Sequence, residues 1–415
     1  MTPDACGESG SFRIDRRYAF GVPTAPPEKG VIWEELFFDL AFVFALTQFS
    51  HMLHEDHSWA GLGLVLLLFV TIYWAWVGTT LYTDQRDVGN ALDRAGVFAL
   101  GLGSLLLALT VPGAFDDRGL LFVGVYLTMR VLLAALALRT PGGWRSPLFR
   151  PYGSGLVAGP LQLAGGLLHG TTRIVLWSIA ILVDLFSTTL TRRTLDKVRV
   201  RPLHYTHRYG LLIILVLGES VIQVGMVAVD EPLTLARLVA VCLSYSLVCA
   251  LWWVYFIYGV QAFRLAVARS AQQADIRRSV MIYGHLLFSF AIITVAVGLS
   301  EAVTEPLEPP RASEGTVLFG GAALFLGAFA YTHWRIHRQI ARRRIGASVL
   351  CLILLPLAHL APALAALATL FAVVAGVCVL EGIILHRRPT IGDDAAEGQM
   401  YSDPGHADKG PVVRE

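Results

Sequence analysis

The residues best able to carry chemistry in this sequence are ionisable side chains inside otherwise apolar stretches. They are Glu34, Glu35, Asp39, Arg130, Asp184, Glu219 and Glu381. A charged group within a membrane span is costly, so each of these residues is by default a functional-site hypothesis. Carboxylates in such places suit the relay of a proton or the binding of a cation.

Two of these acids are spaced so that they share one face of a helix. Glu35 and Asp39 are separated by four residues, and residues at this spacing are neighbours on a helix surface. At a rise of about 1.5 Å per residue, Asp39 lies roughly 12 Å into the first apolar stretch. The pair predicts an inward-facing polar site. Glu34 lies in the first helical turn, where the helix dipole favours a carboxylate.

Glu219 is a second centre of interest. It follows Gly218, precedes Ser220 and has Gln223 one turn further along. It lies about 16 Å beyond Arg208 by helical rise, and no basic residue of its own helix is at that depth. The carboxyl must therefore be protonated, paired across helices or facing water. Arg130 lies at a comparable depth, and a structural ion pair with Asp39, Asp184 or Glu219 is the competing interpretation.

Histidines are spread over four apolar stretches at His169, His285, His333 and His359. A single histidine in a helix bundle is more often a hydrogen-bonded core residue than a ligand. His285 is the best proton-relay candidate, since the sequence predicts that it lies among the acid-bearing helices.

A cluster of histidines and acids also follows the first apolar stretch. His51, His54 and His57 are spaced three residues apart, next to Glu55 and Asp56. This composition suits a metal ion, but a solvated loop outside the membrane is the preferred interpretation. We therefore expect no metal site.

The composition is that of a membrane protein. The chain has 415 residues, of which 55% are hydrophobic and 15% charged, and its mean hydropathy is +0.60. A soluble domain carries about 25% charged residues. A net charge of +2, with basic residues scattered over short loops, argues against a nucleic-acid partner. No phosphate-binding GxxxxGK motif or other cofactor signature occurs, so no cofactor is expected.

Each membrane span needs about 20 mostly apolar residues. The sequence predicts twelve spans, near 31–50, 60–82, 95–112, 119–138, 152–169, 174–191, 207–229, 238–259, 280–302, 316–334, 346–360 and 363–385. The fifth span, which contains Pro160, and the last two spans, near Pro356 and Pro362, carry the weakest signal. An all-α polytopic bundle is the predicted fold.

The basic residues predict the orientation of these spans. Most of the 33 lysines and arginines fall on one side, whereas Arg118, Arg173, Arg237 and Arg311 fall on the other. Since cytoplasmic loops carry the excess of Lys and Arg, both chain ends are expected in the cytoplasm and the protein in the plasma membrane of a bacterium.

The spans divide into two sets of six. The predicted organisation is a tail (1–30), a first membrane half (31–191), a basic linker (192–206), a second half (207–388) and a second tail (389–415). Landmarks recur in order: Asp39 precedes Trp74 much as Glu219 precedes Trp252. These traces predict a parallel six-plus-six repeat, and sites in such proteins lie where the repeats meet.

Two long motifs resemble those of the bacterial low-temperature-requirement A (LtrA) family. The first is the Trp33–Leu40 segment WEELFFDL, and the second is the His207–Ser220 segment HRYGLLIILVLGES. His207 stands where the family commonly has Glu. The resemblance covers roughly residues 30 to 388 and implies a multi-span membrane protein linked by name to growth in the cold. Glu35, Asp39, Gly218 and Glu219 fall within these motifs.

The leading prediction is a secondary transporter or permease for a proton, cation or small solute. The expected binding residues are Glu35, Asp39, Glu219 and Gln223, tuned by Arg130, Asp184, His285 and Glu381. One alternative is a non-transporting sensor or assembly factor in cold or envelope stress, with buried charges that only fix helix packing. A second alternative is an intramembrane lipid-modifying enzyme, which needs His285 or His359 beside a carboxylate. The lipid bilayer is the expected surrounding, and the sequence does not indicate an oligomeric state.

Overall fold

The computed structural model describes residues 30–387, apart from 141, 147–149, 192, 194–195 and 271–272. The two predicted tails, apart from Gly30, and part of the predicted linker lie outside the described residues. Within the described part the chain is almost entirely helical, and no strand occurs there. The predicted all-α polytopic bundle is confirmed.

The helices follow one another with short connections. Their bounds are α1 Trp33–Glu55, α2 Trp59–Gln85, α3 Ala91–Thr110, α4 Gly119–Leu138, α5 Gly155–Leu167, α6 Thr171–Leu190, α7 Pro202–Asp230, α8 Leu235–Tyr258, α9 Val260–Arg269, α10 Gln273–Ile276, α11 Tyr283–Thr304, α12 Ala312–His337, α13 Arg342–Ile353, α14 Leu357–Leu360 and α15 Ala363–Arg387. A π-helical turn, Arg277–Ile282, leads directly into α11.

Ten helical segments of the described chain are long and apolar enough to cross a membrane. The predicted fifth and eleventh spans are shorter than expected: α5 has 13 residues and α13 has 12. At 1.5 Å per residue each is about 20 Å long or less, against a hydrocarbon core of about 30 Å. The α13 helix begins with three arginines and ends before Pro356, and both features limit its apolar length.

Helix α11 forms the centre of the bundle. In the membrane span that contains α11, 89% of the most apolar 18-residue stretch is buried inside the protein. It contacts α1, α2, α7, α8, α12 and α15. A helix that is apolar on all sides and enclosed by others is a core helix rather than a lipid-facing one.

Glycine permits the close approach of α11 and α12. A Cβ atom on Gly298 would lie 2.5 Å from the Cβ of Leu318, and one on Gly321 would lie 2.9 Å from the carbonyl oxygen of Ala291. Small residues at helix contacts let backbones approach in membrane proteins, where van der Waals packing drives association.

The neighbour relations among α1–α6 recur in the second half of the chain. In the first set α1 contacts α2 and α3, α3 contacts α4, α4 contacts α5, α5 contacts α6, and α2 contacts α6. In the second set α7, α8, α11, α12, α13 and α15 show the same relations in the same order. We refer to these two sets as the first and second six-helix groups. Each group has its short helix in fifth position.

The two ends of the bundle differ in charge. One end carries ion-paired arginines at or near helix termini, namely Arg86, Arg139, Arg201, Arg278 and Arg335. We call it the arginine-rich end. At the opposite end, Arg173 donates hydrogen bonds to the carbonyl oxygens of Ala114 and Asp116, and Arg237 donates to those of Val303 and Thr304. These two arginines satisfy carbonyl groups at chain turns.

Candidate functional site

The candidate site begins on α1, where two acids face the protein interior. Glu35 and Asp39 are 0% and 1% exposed. Glu35 also accepts a hydrogen bond at 3.1 Å from the backbone N–H of Ile32, just before the helix begins. The four-residue spacing therefore does place both carboxylates on one buried face, as the sequence predicts.

Asp39 is held by an arginine from α7 and a tryptophan from α2. Arg208 donates two hydrogen bonds to its carboxylate, at 2.5 and 2.9 Å, and Trp76 Nε1 donates a third at 2.9 Å. The Arg208 guanidinium also lies 5.5 Å from the centre of a Trp76 ring. This two-pronged geometry is the strong form of an arginine–carboxylate pair.

Glu35 is held by a histidine one turn earlier on α7. His204 Nε2 lies 3.0 Å from Glu35 Oε2, and His204 Nδ1 lies 3.0 Å from Asp84 Oδ1 at the end of α2. Because both ring nitrogens face carboxylates, an imidazolium can donate to both. Arg208 Nε lies 4.0 Å from Glu35 and links this set to Asp39.

These five residues, Glu35, Asp39, Asp84, His204 and Arg208, form what we call the polar cluster. All five are buried. The cluster lies near the arginine-rich end and joins α1 and α2 of the first six-helix group to α7 of the second. Arg208 and, when protonated, His204 offset part of the negative charge of the three carboxylates, as a medium of low dielectric requires of buried charges.

Three members of the polar cluster were not predicted from the sequence. Asp84 and His204 lie in predicted connections, and Arg208 lies at the start of the predicted seventh span, where it adds only to the basic residues of the cytoplasmic side. A signal was present nonetheless: His204 and Arg208 repeat the four-residue spacing of Glu35 and Asp39. Two basic and two acidic residues with the same spacing can pair one to one along parallel helices.

Arg130 and Asp184 pair with each other rather than with the polar cluster. Arg130 Nη2 lies 3.0 Å from Asp184 Oδ1, Nη1 bonds the other carboxylate oxygen, and Tyr126 and Ser154 complete its contacts. Arg130 also lines a cavity of about 70 Å³ that includes Tyr205 of α7. This space is large enough to hold water.

Glu219 differs from the other buried acids because one of its oxygens has no partner. Its side chain is 1% exposed. Gln223 Nε2 donates to Oε1 at 2.7 Å, whereas Oε2 makes no hydrogen bond to any described residue. No ion pair with Glu219 occurs among the described residues. The structure therefore brings Gln223 to Glu219, but not Asp39 or Arg130.

His285 lies in an aromatic environment. Its Nε2 is 2.6 Å from the hydroxyl of Tyr255, its Nδ1 is 3.1 Å from the carbonyl oxygen of Val280, and the ring packs against Tyr209. No carboxylate contacts it among the described residues. The Nδ1 atom of His359 makes no hydrogen bond to any described residue. The histidine–carboxylate pair that an intramembrane lipid-modifying enzyme needs is thus not formed by these two residues.

Glu381 lies apart from the other acids, on α15. Arg344 donates to it at 2.7 and 2.8 Å. The pair lines a cavity of about 830 Å³ at the arginine-rich end, together with His333 and Arg269. Glu381 and the polar cluster are therefore separate features of the bundle.

The fold and the buried charges define the class: this is a multi-pass α-helical integral membrane protein. The chain matches the family described as bacterial low temperature requirement A protein (LtrA) over residues 30–379, and it belongs to that family. An uncharacterised protein of Rhizobium meliloti (strain 1021) is 30% identical over 316 residues, which are 72% of this chain and 75% of that protein. No solved structure gives a significant match.

Proposed function

We propose that this protein is a secondary transporter or permease for a proton, cation or small solute, with Glu219 and Gln223 in its binding site. It would lie in the plasma membrane of a bacterium with both chain ends in the cytoplasm, since the arginine-rich end fits the excess of basic residues in cytoplasmic loops. The observation that carries the proposal is the unpartnered, buried carboxylate oxygen of Glu219.

The energetic argument concerns the charge of Glu219. An ionised side chain at the centre of a membrane costs about 2.5–3.5 kcal/mol even on the lowest scale. The other buried acids described above recover this cost through arginine or histidine partners, and Glu219 has none among the described residues. A bound proton or cation would remove this cost at Glu219.

Helix register places two unpartnered hydroxyls at the depth of Glu219. Helices α1 and α7 run parallel, because Glu35 meets His204 and Asp39 meets Arg208 in the same order. Ser50 and Glu219 follow Asp39 and Arg208 by equal numbers of residues, so both lie about 16 Å further along. Ser50 is 2% exposed, and its Oγ makes no hydrogen bond to a described residue.

Ser244 reaches the same depth from α8. Tyr209 of α7 and Tyr255 of α8 both pack against His285. Helix α8 runs opposite to α7, so the step from Tyr255 back to Ser244 points the same way as the step from Tyr209 forward to Glu219. By helical rise, Ser244 and Glu219 each lie about 16 Å from the contact with His285. The Oγ of Ser244 is buried and also without a described partner. Helices α1 and α8 both contact α7. Carboxylate and hydroxyl oxygens are the ligand types that a small hard cation takes, which is consistent with the proposal.

The recurring helix contacts favour the same interpretation. If the two six-helix groups are a duplicated unit, the pathway is expected where they meet, near the membrane midplane. Glu219 lies on α7, which contacts both α1 of the first group and α11 of the second. The polar cluster would then fix α1, α2 and α7 to each other at the arginine-rich end, and Asp39 would act through Arg208 rather than bind the solute.

The test begins with the stability of the purified protein. Wild type and Glu219→Gln are unfolded thermally between about pH 5 and 8 with a panel of cations and small solutes. A ligand at a hundred times its Kd stabilises the folded state by about 2.7 kcal/mol. We expect at least one ligand or proton to stabilise the wild type and to lose this effect in Glu219→Gln.

The ligand found in this way is then tested for flux in proteoliposomes, with a trapped pH-sensitive dye for protons and with labelled ligand for a cation or solute. We expect Glu219→Gln to reduce the flux at least roughly tenfold, which corresponds to about 1.4 kcal/mol. The matched control is Glu381→Gln, because it removes a membrane carboxylate that already has an arginine partner. Wild-type flux no greater than that of empty liposomes, across the whole panel, would contradict the proposal.

The second candidate is a non-transporting membrane protein whose buried charges only fix helix packing, such as a sensor or assembly factor in cold or envelope stress. The observation that favours it is that Asp39, Asp184 and Glu381 each have a two-pronged arginine partner. This candidate predicts that Glu219→Gln changes stability by the same amount whichever cation or solute is added, since a purely structural carboxyl alters only the pH dependence.

A further inference from the structure

At the end of the bundle opposite the polar cluster, three side chains from separate elements converge. His54 comes from the last turn of α1, His57 from the connection to α2, and Glu301 from the last turn of α11. Glu301 Oε1 lies 2.8 Å from His54 Nδ1 and 3.2 Å from His57 Nε2. The three ligand-type atoms all lie within 4.8 Å of one another.

The spacing of these atoms suits a small divalent cation. Zinc binds histidine nitrogen and carboxylate oxygen at about 2.0–2.2 Å, and two histidines with one glutamate are a known three-ligand set with an open fourth position. A tetrahedral ion with such bonds separates its ligand atoms by roughly 3.4 Å. Movements of about an ångström would therefore bring His54, His57 and Glu301 into coordination.

The hydrogen bonding around His57 points independently to a ligand. Its side chain is only 12% exposed, and Nε2 makes no hydrogen bond although it lies close to Glu301. Both imidazoles approach the same carboxylate oxygen, Glu301 Oε1. A buried ring nitrogen without a hydrogen bond is otherwise unfavourable.

The connection that carries His57 is held in one conformation. The backbone N–H of Ser58 donates to Asp56 Oδ1 at 2.9 Å, and Ser58 Oγ accepts from the N–H of Gly61 at 3.1 Å. A Cβ on Gly61 would lie 2.3 Å from the carbonyl oxygen of Asp56, so this turn requires glycine.

Open space adjoins one of the three side chains, His57. His57 lines a cavity of about 490 Å³, together with Trp59, Phe290, Thr294 and Thr316. This cavity leaves room for a water molecule or another small ligand at the fourth position of a metal ion. A site completed by protein ligands on all sides would lack such an opening.

We propose that His54, His57 and Glu301 form a binding site for a divalent cation of the zinc type. The ion would tie the α1–α2 connection of the first six-helix group to α11 of the second, at the end of the bundle opposite the polar cluster. The site does not depend on whether the protein is a transporter. Neighbouring acids on α1 and in the connection, Glu55 and Asp56, add negative charge nearby and favour a cation over an anion.

The test measures zinc bound to the purified protein, produced without a histidine tag and treated with a chelator. Equilibrium dialysis with elemental analysis should give one zinc ion per chain with saturable binding. Glu301→Gln and His57→Ala should weaken the affinity at least roughly tenfold, as ligand-sphere changes do. His51→Ala is the matched control, since His51 is an exposed histidine one turn earlier on α1 and should leave binding unchanged.

A second readout separates the loss of a ligand from misfolding. Zinc should raise the thermal stability of wild type and His51→Ala, and magnesium at the same concentration should not. If Glu301→Gln does not fold, His54→Ala replaces it, because that side chain is 46% exposed and contributes little to packing. Absence of saturable zinc binding to the wild type, or equal affinity in all variants, would overturn the proposal.

Discussion

The polar cluster should behave as one energetic unit, and a double-mutant cycle on Asp39 and Arg208 measures this. Asp39→Asn leaves a fully buried guanidinium without its two-pronged partner, a change that typically costs 3–5 kcal/mol. Glu35 remains 4.0 Å from Arg208 Nε and retains part of the compensation. We therefore expect the lower end, about 3 kcal/mol.

The assay is the free energy of unfolding in mixed micelles for wild type, Asp39→Asn, Arg208→Met and the double variant. Removing both charges abolishes the unpaired cation, so the double variant should be more stable than the sum of the single changes predicts. A coupling of about 1.5 kcal/mol or more is expected, since groups in one buried network couple by about 0.5–3 kcal/mol.

An exposed ion pair at the same end supplies the control for this cycle. Arg201 donates to Asp87 at 2.8 Å, but the Asp87 side chain is 74% exposed. The same replacement there, Asp87→Asn, should change stability by less than about 1 kcal/mol. If Asp39→Asn costs no more than Asp87→Asn, or if the two changes in the cluster simply add, the network described here does not stabilise the bundle.

Two further changes test the packing around the central helices. Gly298→Leu should lower the free energy of unfolding by about 1–3 kcal/mol, because the new side chain meets Leu318 on the adjacent helix. Gly124→Leu is the control in the same unfolding assay, since a Cβ at Gly124 meets no atom within 4 Å. Equal effects of the two changes would refute the close packing. Trp76→Phe should cost about 1.5–3 kcal/mol through loss of its hydrogen bond to the Asp39 carboxylate, and a change of less than about 0.5 kcal/mol would show that this bond contributes little.

The helices themselves could be predicted well because lipid imposes a simple length rule. A run of about 20 apolar residues has few alternatives to a spanning helix. The prediction is less accurate for α5 and α13, which are shorter than a full span although they expose large apolar side chains such as Leu156 and Ile353. Contacts such as those of α5 with α4 and α6 determine how long such a helix is, and they involve residues far apart in the chain.

The partners of the buried acids could not be predicted for the same reason. Glu35 and His204 are 169 residues apart in sequence, and no local pattern states which helices are neighbours. The prediction that Arg130 would pair with Asp39, Asp184 or Glu219 left three choices, and helix packing selects Asp184. His285 was expected among acids, but the π-helical turn before α11 brings its ring nitrogen to the carbonyl oxygen of Val280 instead.

The distribution of satisfied and unsatisfied polar atoms along α1 and α7 carries a mechanical argument. At the arginine-rich end, Glu35 and Asp39 are fully engaged, so separation of these helices would expose uncompensated charge. About 16 Å further along, at Ser50 and Glu219, the buried polar atoms lack partners, and a water, ion or solute that enters there gains hydrogen bonds without breaking any. On the proposed function, a ligand would therefore bind at the depth of Glu219 while the polar cluster stays intact. A conformational change that admits a ligand is expected to separate the helices first at the end opposite the cluster.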